Sequence, residues 1–138
     1  MFLHYLEEES EKKAFLELAK ILIISDGKID IEETKIFDRF LVDLDLPYEK
    51  FDSVADTTLF EAIASFDRSS LETKKIVLFE LLYLAFGDMD FAEAEEVIIN
   101  GIINKFNISN SCKLNMLDII KSLNNLTGKA EKIIFTNN

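Results

Sequence analysis

At residues 25–33 the chain reads SDGKIDIEE, a stretch that ends one apolar helical run, makes a turn and opens another. Counting 62 residues onward leads to a second such stretch, GDMDFAEAE, at residues 87–95. The apolar positions that follow stay in step without a gap: Ile36 with Ile98, Phe37 with Ile99, Phe40 with Ile102, Leu41 with Ile103. This agreement predicts a duplicated helix–turn–helix unit, with halves at about 11–46 and 71–108.

The composition favours an all-α fold. The chain has 138 residues, of which 49% are hydrophobic and twelve are Phe, but only four Gly and one Pro. This composition argues against disorder and against a turn-rich β-sandwich. A chain of this length buries roughly two-thirds of its unfolded surface. We therefore predict one domain over 1–138, a compact helical bundle with two pseudo-repeated helix–turn–helix pairs.

Local signals place most helix boundaries in the first half. Ser10 is the predicted N-cap of the first helix, which runs to Ser25. In the turn, Gly27 suits the position just past a helix, and Asp30 with Glu33 has the spacing of a capping box. We expect residues 2–6 to form a short turn that packs on the domain.

The second half is predicted in the same way. Residues 48–70 are expected to hold one or two short helices, followed by a central helix that Ser69 or Ser70 caps. A last helix, capped within 109–111, is predicted to end near 127–128 because Gly128 suits a C-terminal cap. The tail 129–138 carries three large apolar residues, so we expect it to dock on the body.

Charge limits the class of partner. The chain has 26 acidic and 15 basic residues, giving a net charge of −11. Residues 1–104 have a net charge of −14, whereas residues 105–138 have five Lys against two acidic residues, a net of +3. An acidic surface repels nucleic acids and anionic lipids, so we expect neither nucleic acid nor membrane insertion. Cations, a basic protein partner or a homo-oligomer remain open.

The cysteine count and the amino-terminal stretch favour the cytoplasm. Cys112 is the only cysteine, so an intrachain disulfide is excluded. The first residues, MFLHYLEEE, are acidic where a signal peptide is basic, and no apolar run reaches the ~20 residues of a membrane helix.

The acidic residues of the two turns are the candidate site. DGKIDIEE at residues 26–33 matches the end of an EF-hand loop, but the first and third ligand positions fall on Leu22 and Ile24, which excludes an ordinary EF-hand. If the two turns meet, their carboxylates could hold Ca²⁺ or Mg²⁺. The predicted ligands are Asp26, Asp30, Glu33, Asp88, Asp90 and Glu95. The alternative is that these residues are purely structural caps.

The sequence favours a role without catalysis. His4 is the only histidine and Cys112 has no second thiol near it, so the ligands of a structural zinc site are lacking. The glycines are isolated, which argues against a phosphate-binding loop. We therefore expect a protein that is not an enzyme.

The sequence resembles the TerB-like tellurite-resistance family over residues 6–108. The resemblance rests on LEEESEKKAFLELA at residues 6–19, on SDGKID at residues 25–30 with Glu33, and on the second copy of the turn. It implies a helical bundle with pseudo-twofold helix pairs, an acidic cluster that holds a divalent cation, and a cytoplasmic role in stress response or partner binding. A related helical domain accompanies J-domain co-chaperones, which implies a metal-free interaction module as the alternative.

The second copy departs from the family pattern. Asp88-Met89 stands where the family favours Asp-Gly, and Ala92 occupies the position of Asp30. A register of 60 residues instead aligns Asp90 with Asp30 and Glu93 with Glu33. The second turn is therefore remodelled relative to the first.

Overall fold

The computed structural model describes residues 1–86 and 93–137, which form helices and no β-strand. Six α-helices are present: α1 (Glu9–Ile24), α2 (Ile31–Asp43), α3 (Leu59–Ala64), α4 (Leu71–Phe86), α5 (Glu93–Phe106) and α6 (Asn110–Ile134). Two short 3₁₀ turns lie at Leu3–Tyr5 and Phe51–Ser53. The predicted all-α bundle is confirmed.

The helix boundaries repeat with the 62-residue offset that the apolar pattern predicts. Adding 62 to the first residue of α1, Glu9, gives 71, which is the first residue of α4. Adding 62 to the last residue of α2, Asp43, gives 105, one residue before the last residue of α5. The 62-residue register therefore holds at the start of the first helix and at the end of the second helix of each pair.

The C-terminal caps of α2 and α5 match residue for residue. Asp45 and Asn107, which are 62 residues apart, both adopt a left-handed backbone, with φ of 57° and 58°. After α2, Leu46 N–H donates to the Leu41 carbonyl at 2.9 Å, and Ile108 N–H makes the equivalent bond at 3.1 Å after α5. These are Schellman caps, in which a left-handed residue ends the helix and satisfies its last carbonyls.

Helix α4 lies at the centre of the bundle. It packs against α1, α2, α5 and α6 and against the 3₁₀ turn Leu3–Tyr5. Ser70 Oγ accepts from the Thr73 N–H at 3.1 Å, so Ser70 is the cap that the sequence predicts. Helix α4 is apolar on nearly all sides because it has a neighbour on nearly all sides. Its buried residues are Val77, Leu78, Phe79, Glu80, Leu81, Leu82, Leu84 and Ala85.

The first six residues pack onto α4 through a buried carboxylate, and their predicted turn is confirmed. Leu3 and Leu6 are buried, and the Phe2 N–H donates to Glu80 Oε1 at 2.7 Å. The Met1 ammonium lies 2.9 Å from Asp43 Oδ2 and 3.1 Å from Glu80 Oε1. Burial lowers the pKa of this amine, but the two carboxylates outweigh burial and the net pKa is raised.

Two predicted boundaries are wrong. Helix α1 begins at Glu9 after an extended Glu8, so Ser10 lies inside the helix rather than at its cap. Helix α6 does not end near 127–128 but continues to Ile134. Gly128 costs a helix interior only about 1 kcal/mol relative to Ala, which a 25-residue helix tolerates.

The predicted docking of the tail is also wrong. Ile133, Ile134 and Phe135 are 81%, 68% and 83% exposed. They lie at the C-terminal end of α6 and directly after it, where residues 125–137 are exposed except for the half-buried Gly128. The predicted cap at Ser109 is confirmed, since its Oγ accepts from the Cys112 N–H at 3.1 Å.

The sequence predicts one or two short helices between α2 and α4, and the structure has α3 and the 3₁₀ turn Phe51–Ser53 there. Among the helices of residues 1–86 and 93–137, none is both long enough and apolar enough to cross a membrane.

Candidate functional site

The first turn is closed by Gly27 and Asp26. Gly27 has φ of +78° and its N–H donates to the Ile24 carbonyl at 3.1 Å. Glycine adopts this left-handed conformation without the steric cost that a side chain brings. Asp26 Oδ1 accepts from the Lys28 N–H at 3.0 Å, which is an Asx turn. Asp26 thus stabilises the turn through a local backbone hydrogen bond.

Asp30 is the N-cap of α2, as the sequence predicts. Its Oδ1 accepts from the Glu32 N–H at 2.8 Å, which satisfies one of the free donors in the first helical turn. Its carbonyl also accepts from the Thr34 N–H at 3.1 Å. Both aspartates of the first turn therefore contribute one carboxylate oxygen to backbone hydrogen bonds.

Glu33 and Glu95 are buried at equivalent positions of the two halves. Their exposed fractions are 6% and 3%, and they are separated by the 62 residues of the repeat. Each lies in the first turn of the second helix of its pair, α2 or α5. Burying a carboxylate costs free energy unless the carboxylate is paired. The burial of both glutamates at equivalent positions therefore indicates a structural or binding role. The sequence holds the signal for this pair in the 62-residue register.

Four of the six predicted metal ligands, Asp26, Asp30, Glu33 and Glu95, lie in the described part of the chain. Asp88 and Asp90 lie outside the described residues. Within residues 1–86 and 93–137, no group of three or more His, Cys, Asp or Glu side chains is arranged to hold a metal ion. The described part of the chain therefore does not by itself complete the predicted site, and Asp26 is exposed to solvent.

Apolar side chains on the first turn are exposed beside the acidic ones. Ile29 is 60% exposed and Ile31 is 71% exposed. Asp26 and Glu32, which are also exposed, lie on either side of them in sequence. We call these four residues the first-turn surface. Neither isoleucine contributes to the core, so packing does not explain why they are apolar.

The two other sequence candidates lie in different parts of the fold. His4 is exposed, and its ring centroid is 4.3 Å from that of Tyr5. Cys112 is half-buried at the start of α6, packed against the core. Neither residue has an interaction in the described chain that indicates a nucleophilic or metal-binding role.

Comparison with known proteins supports the helical fold. No protein-family model and no curated protein matches the chain. A crystal structure of a protein of unknown function from Porphyromonas gingivalis is similar, with a TM-score of 0.60 and 23% sequence identity. The match covers 84% of this chain and 97% of that one. The chain thus shares its helical fold with that protein.

Proposed function

We propose that this chain is a TerB-like helical module that acts by recognition rather than catalysis, and that its first-turn surface binds a basic segment of a protein partner. The observation that carries the proposal is the exposure of Ile29 and Ile31 between two carboxylates. Exposed apolar side chains supply contact area, and acidic neighbours select a partner with Lys or Arg beside its own apolar residues. The overall charge of −11 favours the same kind of partner.

Site-specific photo-cross-linking tests this proposal. Benzoylphenylalanine replaces Ile31 in one protein and Tyr48, which is 95% exposed beyond the end of α2, in a matched control. In cells that make the protein, we expect a discrete cross-linked partner from position 31 and none from position 48. Substituting both Asp26 and Glu32 by Lys should abolish the adduct. Identical adducts from both positions, or none from position 31, would contradict the proposal.

A second candidate function is the binding of a divalent cation between the two turns. The equivalent positions of Glu33 and Glu95 in the first turns of α2 and α5 favour it, because hard cations such as Ca²⁺ and Mg²⁺ take carboxylate oxygens. Asp26, Asp30, Asp88 and Asp90 would supply further oxygens from the turns. The bound ion would offset the repulsion between the carboxylates and fix the two halves relative to each other.

Thermal unfolding of chelator-treated protein, with and without added cation, distinguishes cation binding by these residues from a purely capping role. A cation at ~100 times its dissociation constant should stabilise the fold by about 2.7 kcal/mol, and Glu33→Gln should abolish that increment. Asp30→Ala should cost about 1 kcal/mol with or without the cation, because it removes the N-cap. Asp26→Asn should have little effect in chelator, because the amide oxygen still accepts from the Lys28 N–H.

A shift with Ca²⁺ or Mg²⁺ that Glu33→Gln removes supports the cation. No shift with either ion contradicts it and leaves Asp26 and Asp30 as structural caps.

A further inference from the structure

An apolar stripe runs the full length of α6. Its members recur at alternating intervals of four and three residues, the spacing of the a and d positions in a coiled coil. They are Cys112, Met116, Ile119, Leu123, Leu126, Ala130 and Ile133. A surface helix that only had to cover one side of α4 would not need this spacing beyond its last contact with the body. We call these residues the α6 seam.

The first half of the seam borders an open apolar groove. Three seam residues, Met116, Ile119 and Leu123, form one wall of a groove of about 450 Å³. The remaining lining residues are Met1, Phe2, Lys75, Ile76 and Phe79. Ile119 is 53% exposed in this groove, so part of its wall remains in contact with water.

The second half of the seam projects from the body. Leu126 is 61% exposed and Ile133 is 81% exposed. Over residues 125–137 only Gly128 is even half-buried. The α6 seam therefore has two halves of similar length, one that lines a groove and one that stands free of the described residues of its own chain.

We propose that these two halves cover each other in a second copy of this chain, through an antiparallel pairing of the two α6 helices. In this register Leu123 of one copy packs on Leu126 of the other, Ile119 on Ala130, and Met116 on Ile133. Each projecting half then lies over the groove of the opposite copy. One two-fold interface thereby covers both apolar surfaces, which is the self-complementarity that a symmetric dimer requires.

Charge favours a second copy over other occupants. Residues 105–138 have a net charge of +3, and the projecting half carries Lys129 and Lys132 against a single acidic residue, Glu131. Residues 1–104 have a net charge of −14, while the lining of the groove itself contains one charged side chain, Lys75. Opposite net charges on the two parts of the chain favour a two-fold approach, in which the basic end of each copy meets the acidic part of the other. The inference does not depend on what the first-turn surface binds.

Sedimentation equilibrium of the full chain at 5–200 µM protein, roughly the range in which weak dimers form, tests the dimer. We expect a mass of twice 15.8 kDa at the upper end. Leu126→Lys and Ile133→Lys should each weaken the dimer at least 100-fold without loss of helicity, because both residues are exposed in the monomer. The matched control is Leu114→Lys, a 51% exposed leucine off the seam, which should leave the mass unchanged.

Two results would overturn the inference. One is a monomer at 200 µM; if that monomer binds vesicles of phosphatidylserine and phosphatidylcholine, the seam is a membrane surface instead. The other is a dimer that Leu126→Lys leaves intact.

Spin labelling tests the antiparallel arrangement. A nitroxide is placed on Ser111→Cys in a Cys112→Ser background. At the helical rise of 1.5 Å per residue, the two labels should be about 40 Å apart, whereas a parallel pair would place them about 10 Å apart. The short distance would contradict the proposed register.

Discussion

Deletion of residues 1–6 should destabilise the fold by at least about 5 kcal/mol. Leu3 and Leu6 are 0% and 2% exposed, and full burial of a leucine contributes about 1.5–3 kcal/mol each. The deletion also removes the Phe2 N–H and the Met1 ammonium from Glu80, which is 1% exposed. A buried carboxylate that loses its partners costs a further 3–5 kcal/mol or so. Such a loss is comparable to the whole stability of a typical domain.

Urea unfolding followed by circular dichroism measures this loss of stability. Glu80→Leu in the truncated chain separates the contribution of the carboxylate from that of the lost packing. In the truncated chain, Glu80→Leu should recover roughly 3 kcal/mol, because it removes the stranded carboxylate. It should recover nothing from the lost packing of Leu3 and Leu6. A truncated chain that unfolds at the same urea concentration as the full chain would disprove the expectation.

The second large effect is expected at the contact between α1 and α2. Phe15 and Phe40 are 0% and 2% exposed and pack edge to face, with ring centroids 5.0 Å apart. Phe15→Ala should cost about 3–5 kcal/mol, because it removes buried area and leaves a cavity beneath Phe40. The change is measured as the loss in unfolding free energy from urea titration.

Phe60→Ala is the matched control for this substitution. Phe60 is 72% exposed on α3, so the same chemical change should cost less than about 1 kcal/mol. Equal losses for Phe15→Ala and Phe60→Ala would mean that burial does not determine the cost.

The helix pairs could be predicted from the sequence because their signals are local or periodic. Asp30, Ser70 and Ser109 each cap the helix that follows, and a side-chain oxygen that accepts from a nearby N–H needs no distant neighbour. The 62-residue register adds the pairing of the halves, because duplicated sequence folds to duplicated geometry. Glu8 lacks such a signal, since no side-chain hydrogen bond marks the start of α1.

The tail could not be predicted, for a different physical reason. Apolar residues at 126–135 indicate that something covers them, but not whether that surface belongs to the same chain. The seam spacing is visible in the sequence from Cys112 to Ile133, yet it becomes informative only when α6 is known to continue past Gly128.

The candidate site could likewise be predicted only where its interactions are local in sequence. The role of Asp30 follows from neighbours two to four residues away, so the sequence predicts it. The matched burial of Glu33 and Glu95 depends on how the two halves pack, which cannot be predicted from the sequence of either turn alone.

Helix α4 is the first helix of the second half, yet it also packs against α1, α2 and the opening 3₁₀ turn, which belong to the first half. In a solenoid each repeat meets only its neighbours and can unravel separately from the rest. Here loss of the first half would uncover the buried surface of α4, and loss of the second half would remove α4 itself. We therefore expect the two halves to unfold together in one cooperative step.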